Sequence, residues 1–137
     1  MKKQTMLNDV TLFWSKLDKP VSPFGSPQYD VQLRVNPEQK EILKGLNIKF
    51  RIEDDTEVCN VQRKATNAKG EDTPPVVVNG AKVAIDPSLI GNGSKANVKL
   101  FTYPYTTKDG REGIKTILLG VQVTDLVEFT PDPVALF

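Results

Sequence analysis

Lys95, Asn97, Lys99, Phe101, Tyr103 and Tyr105 occupy alternate positions of the stretch SKANVKLFTYPY, with Ser94, Ala96, Val98, Leu100, Thr102 and Pro104 between them. On an extended chain, a period of two sends these sets to opposite faces. One face is small or apolar, and the other carries two ammonium groups followed by three aromatic rings. Ammonium groups pair with phosphates and rings stack on nucleobases, so the second face suits single-stranded nucleic acid. The same alternation also fits a strand buried on both faces, with the aromatics in a core and the lysines solvated.

The preceding residues, IGNGSK, look at first like a phosphate loop, but Ser94 comes before Lys95 and a strand follows. A P-loop needs Gly-Lys-Ser/Thr opening a helix. Gly91 and Gly93 are instead expected to give positive φ or a close backbone approach. Asn92-Gly93-Ser94 matches a glycosylation sequon by accident, because MKKQTMLNDV lacks the apolar stretch of a signal peptide. Glu53, Asp54, Asp55 and Glu57 form an acidic run that could serve Mg²⁺ in a nuclease. Without a second acidic cluster the run reads better as a solvated hairpin turn. The chain has no histidine and one cysteine, Cys59. This excludes an internal disulfide and a cysteine-based zinc site, and it removes the usual general base. No metal or cofactor is expected, and the chain does not read as an enzyme.

At 137 residues, 39% hydrophobic and 26% charged, the chain has the size and composition of one soluble domain, without the long apolar run of a membrane span. A cytoplasmic location is expected. The net charge of +1 conceals a division. Residues 1–115 hold all 18 Lys and Arg against 14 acids, whereas Asp125, Glu128 and Asp132 make the end acidic.

VTLFWSKL (10–17) and YDVQLRV (29–35) alternate like strands on either side of a proline-rich loop. Trp14 shares the parity of Val10 and Leu12 and is expected in the core. Asn36, Pro37 and Gln39 predict a capped helix PEQKEILK that stops at Gly45 and buries Ile42 and Leu43. NIKFRIE (47–53) places Ile48, Phe50 and Ile52 opposite Lys49 and Arg51, and EDDTE turns it into VCNVQRKAT as a hairpin. NAKGEDTPP is a polar loop. VVVNGAKVAI carries Asn79-Gly80, a strong hairpin signal, and KDGREG separates SKANVKLFTYPY from IKTILLGVQVTDLVEF. Six or seven strands and one short helix make an all-β domain built on a small, curved or closed antiparallel sheet.

DPSLIGNGSKANVKLFTYPY, the following GIKTILLGVQVTDLVEF, the basic QRKAT strand, the loop ending in PPVVV, and YDVQLRV leading to PEQKEIL together resemble the single-stranded DNA-binding proteins of tailed bacteriophages. The resemblance covers roughly residues 8–130. It implies an OB-fold, a five-stranded partly open antiparallel barrel, here with an extra N-terminal strand and hairpin, over residues 1–130, with 131–137 as a tail. It implies a protein that coats and protects single-stranded DNA in phage replication and recombination, self-associates along the strand and recruits replication proteins through its C-terminus. Lys95, Lys99, Phe101, Tyr103 and Tyr105 match the family segment, and Arg63 and Lys64 match its basic strand. Lys49 and Arg51 are candidates because they oppose the apolar side of their strand, Lys108 and Arg111 because a basic turn beside aromatics could clamp phosphate. The family often ends in a strongly acidic run closed by an aromatic. TPDPVALF keeps Phe137 but has only Asp132 and the terminal carboxylate as charges, so docking on its own barrel or on another subunit rivals partner recruitment. An OB module that binds protein rather than nucleic acid is the alternative reading.

Overall fold

A computed structural model of the protein describes residues 2–21, 27–67 and 69–128. Over these residues the chain forms β1 (Lys3–Val21), β2 (Gln28–Arg34), α1 (Pro37–Gly45), β3 (Arg51–Glu53), β4 (Thr56–Lys64), β5 (Val76–Asn79), a 3₁₀ turn (Pro87–Leu89), β6 (Ser94–Thr106) and β7 (Glu112–Asp125). The tail 131–137 lies outside the described residues. The strands join in one sheet of order β3-β4-β2-β1-β6-β7-β5. All pairs are antiparallel except β5–β7, which is parallel. The sheet curls until β4 meets β7, where Arg63 Nη1 donates to Leu118 O across 3.4 Å.

Alternation builds the interior. Leu7, Val10, Leu12 and Leu17 of β1 meet Tyr29, Val31 and Leu33 of β2, Cys59 and Val61 of β4, Ala96, Val98 and Leu100 of β6, and Leu118, Val121 and Val123 of β7 in one buried cluster. Each fully buried leucine or valine contributes on the order of 1.5–3 kcal/mol. Cys59 is one of these packing residues, and burial pushes its thiol up to about 12.

The helix follows its sequence signals. Asn36 Oδ1 accepts from Gln39 N at 2.8 Å while Gln39 Oε1 accepts from Asn36 N at 3.1 Å, closing a capping box. Leu43 is fully buried, but Ile42 is exposed, contrary to expectation. A helix of nine residues presents one narrow stripe, here Gln39 and Leu43, and Ile42 lies about 100° around from Leu43.

Three register shifts interrupt β1, the last between Lys16 and Val21, and the first two alter its pattern. The register with β6 slips between Leu7 and Val10, and that with β2 slips between Phe13 and Lys16. Asp9 (φ 58°) and Trp14 (φ 49°) absorb the extra residues in left-handed conformations. Each freed amide has an asparagine partner: Asp9 N donates to Asn97 Oδ1 at 3.1 Å, and Trp14 N donates to Asn92 Oδ1 at 2.8 Å. The second bulge breaks the parity with Leu12, so Trp14 is 54% exposed rather than in the core.

The acidic run is a two-residue hairpin turn, with Asp54 and Asp55 both at positive φ. Ile52 departs from the expected buried face, because β3 is a three-residue edge strand and nothing among the described residues covers it. The Asn79-Gly80 signal does not close a two-stranded hairpin. Asn79 Oδ1 accepts from Ala81 N and Val83 N in a wider turn, only the bridge Val78–Ala84 follows, and β5 pairs with β7 instead.

Candidate nucleic-acid interface

On β6 the alternation holds from Ser94 to Tyr103 and then ends, since Pro104, expected on the inner face, is exposed like Tyr105 and Thr106 beyond the edge of the core. Ser94, Ala96, Val98, Leu100 and Thr102 are buried, whereas Lys95, Asn97, Lys99, Phe101, Tyr103 and Tyr105 are partly or fully exposed. The outward row through Lys99 continues to Met6 on β1 and, across β7, through Gly120 to Val76 on β5. Gly120 makes this approach feasible: a Cβ there would stand 3.0 Å from Val76 O and 3.2 Å from Val76 Cβ.

Two grooves adjoin at Arg63. The first, about 600 Å³, has apolar walls of Met6, Val76, Val78 and Leu119, with Arg63, Lys82 and Lys99 on its lining. The second, about 440 Å³, is lined by Arg63, Lys64, Tyr103, Lys115 and Ile117 among others. Five cations therefore face the pair of grooves, and no acidic residue lines either among the described residues. None of the five makes an ion pair among the described residues. Tyr103 forms a tilted pair with Phe101, the ring centroids 6.0 Å apart.

Lys82 and Lys115 were not anticipated. Lys82 stands in the turn braced by Asn79, at φ 64°, and reaches the first groove only because β5 lies beside β7. Lys115 shares an outward row with Tyr103, a register visible only once β6 and β7 pair. Of the residues named from sequence, Arg63, Lys64, Lys99 and Tyr103 come together here, with Phe101 beside them. Tyr105 lies apart, its ring over Gly113 in a crevice with Lys44 and Asn47. Lys95 sits toward the other end of β6, opposite Thr11 and Asp125.

The remaining cations lie elsewhere. Lys49 is exposed ahead of β3, and Arg51 pairs with Glu53 at 3.3 Å on the edge of the sheet. Lys108 and Arg111 belong to the β6–β7 turn, where Arg111 Nε meets Asp109 Oδ2 at 2.9 Å. Hydrogen bonding from Thr107, then the Arg111 bond, holds the Asp109 carboxyl below its usual range. In the acidic run Glu53 accepts from Gln32 and Arg51, and Glu57 pairs with Lys40, so these carboxylates are held by separate partners rather than aimed at a common centre.

The glycine loop before β6 is a junction. Gly93, at φ 95°, donates to Leu12 O, Ser94 Oγ donates to Gly91 O at 2.8 Å, and Val127 N donates to Ser94 Oγ at 2.9 Å. Its polar groups are thus engaged in tying β1, β6 and the segment after β7 together.

No protein-family model and no curated protein sequence matches the chain. Solved structures do. The gp2.5 single-stranded DNA binding protein encoded by bacteriophage T7 superposes with a TM-score of 0.68 at 20% identity, over 97% of this chain and 92% of that one. The single-stranded DNA-binding protein of bacteriophage Enc34, in complex with ssDNA, superposes with a TM-score of 0.61 at 17% identity, over 89% and 86% of the two chains. This chain has an OB-fold. In that frame the grooves lie on the outer surface of the sheet around β6 and at the β4–β7 seam, and the long β1 and the β3–β4 hairpin are part of one continuous sheet. No helix among the described residues is long and apolar enough to cross a membrane.

Proposed function

We propose that the protein binds single-stranded DNA without strong sequence preference, coating and protecting it in the host cytoplasm during phage replication and recombination. The observation that carries this is the pair of adjoining grooves, with five cations that have no ion pair and no lining acid among the described residues, and an aromatic pair alongside. Such a surface attracts a phosphate backbone and offers rings to unstacked bases. Likeness of fold to two phage proteins named for single-stranded DNA binding supports it. Tolerance of sequence follows from the amides of the first groove. Asn97 Nδ2 donates to Gln122 Oε1 at 3.0 Å, Gln122 Nε2 donates to Gly80 O at 3.2 Å, and Asn97 Oδ1 accepts from Asp9 N, so each amide group is held by a protein partner and offers base edges only its second hydrogen or lone pair. The tail residues 131–137 remain the candidate for recruiting replication proteins.

The test is a titration with oligo-dT and duplex DNA across salt concentrations. Five neutralised phosphates give log affinity against log salt a slope of about −3.5, from roughly 0.7 per phosphate on a single strand. Arg63→Ala, Lys64→Ala and Lys99→Ala each reduce the magnitude of that slope by about 0.7. Equal affinity for duplex and single strand, or slopes unmoved by all three substitutions, contradicts the proposal.

A further inference from the structure

We propose that a bound strand continues beyond the two grooves to a second contact patch formed by Lys95, Arg34 and Phe13, giving the protein a two-part binding track. This rests on the grooves being the single-stranded DNA site. Lys95 opposes Thr11, and Thr11 opposes Arg34, so one row crosses from β6 over β1 to β2. It lies four residues along β6 from Lys99, about 13 Å at roughly 3.3 Å per residue. The patch is therefore continuous with the groove surface yet separate from it.

Arg34 is prepared for phosphate. Its guanidinium carbon stands 3.7 Å from the centroid of the Phe13 ring, and its Nε donates to Gln32 Oε1 at 3.2 Å. These two contacts fix the guanidinium plane, and no carboxylate pairs with it among the described residues. A guanidinium already ordered by stacking loses little freedom on meeting an anion. Lys95 is exposed and has no ion pair among the described residues either. The acids near the patch are Asp125, opposite Lys95 on β7, Asp9 at the bulge between the patch and the groove, and Glu53, whose carboxylate accepts from Gln32 Nε2 at 3.2 Å and is paired with Arg51 rather than Arg34. Between Lys99 and Lys95 the outward position is the neutral Asn97, tied to the Asp9 amide. The track thus has two cationic stations separated by an uncharged side chain.

Oligonucleotide length separates the stations. Affinity and salt slope are measured by anisotropy of labelled oligo-dT of about 5 and about 20 nucleotides, near the low end of and beyond the site sizes usual for an OB-fold. Arg34→Gln should weaken binding of the long oligomer about tenfold, the scale of one lost charged hydrogen bond, and lower its slope by about 0.7. It should leave the short oligomer within about twofold of wild type. Lys95→Ala, an exposed substitution that leaves the core intact, should do the same, whereas Arg63→Ala weakens both lengths. Wild-type affinity and slope for the long oligomer in both patch variants would overturn the proposal, as would equal weakening of both lengths. Failure of the wild type to bind either length removes the groove reading itself.

Discussion

Tyr103 is the aromatic residue on which the first arm of the site turns, because it alone of the three rings on β6 lines a cationic groove and also pairs with another ring. Tyr103→Ala should weaken oligo-dT binding by about 1–3 kcal/mol, the usual loss for one base–aromatic contact, with the salt slope unchanged. Tyr105→Ala should have a much smaller effect, since that ring lies over Gly113 in a separate crevice. Equal losses for the two variants would mean that the strand runs the whole length of β6. Tyr29 yields a different expectation. Its ring is buried and its hydroxyl donates to Asp72 at 2.8 Å; burial, then this bond and the Asp72 charge, raise its pKa above 10.0. The folded state therefore favours the neutral phenol. That stabilisation is complete below the unfolded value near 10 and is lost as pH rises through the raised folded value. Denaturant unfolding of wild type and Tyr29→Phe at a series of pH values should show a constant difference up to about pH 9 that shrinks in alkali. A difference that persists unchanged at high pH contradicts the linkage.

Among the elements, β5 is the one whose place depends on a single missing side chain. Gly120→Ala puts a Cβ against the Val76 carbonyl, where backbone has to move. We expect a loss of about 1–3 kcal/mol in stability, typical of overpacking, and faster amide hydrogen exchange across residues 76–79 than in the rest of the sheet. Unchanged protection there would show that β5 adapts without strain. This element was also the least legible from sequence. Asn79-Gly80 favours a local hairpin, but Asn79 folds its side chain back onto Ala81 and Val83, and parallel pairing with β7 prevails. Helix α1 was legible because its N-terminal cap is local: Asn36, Pro37 and Gln39 all act within the first turn, whereas Gly45 is itself helical and Leu46 takes the C-cap. So was β6, where small or apolar residues alternate without interruption from Ser94 to Thr102. The bulges of β1 left no comparable mark, since neither Asp9 nor Trp14 is a residue type that favours positive φ as glycine does. Parity carried through them sent Trp14 to the wrong face.

For the molecule as a whole, the all-β class and the OB-fold could be recognised, while the grouping of the cations could not. Arg63, Lys64 and Lys99 were named from their strands, yet Lys82 and Lys115 join them only through the order β6-β7-β5 and the curl that brings β4 to β7. The same topology bears on how the chain is made. β1 pairs with β6 across separations of 82 residues (Leu12 to Ser94) to 99 residues (Lys3 to Thr102). At about 5–20 residues per second of synthesis, β1 waits roughly 5–20 seconds for its partner on that side. During that interval β1 can pair with β2, leaving its other edge open with Leu7, Val10 and Leu12 along it. Asn92 and Asn97, which complete the bulges, arrive at the same late moment as β6 itself. Until then the unfilled bulges keep the edge of the nascent strand irregular, a poor template for a second chain in a crowded polysome. Once the asparagines are seated, a slip of one residue would forfeit both of their bonds and turn every buried side chain of β1 outward.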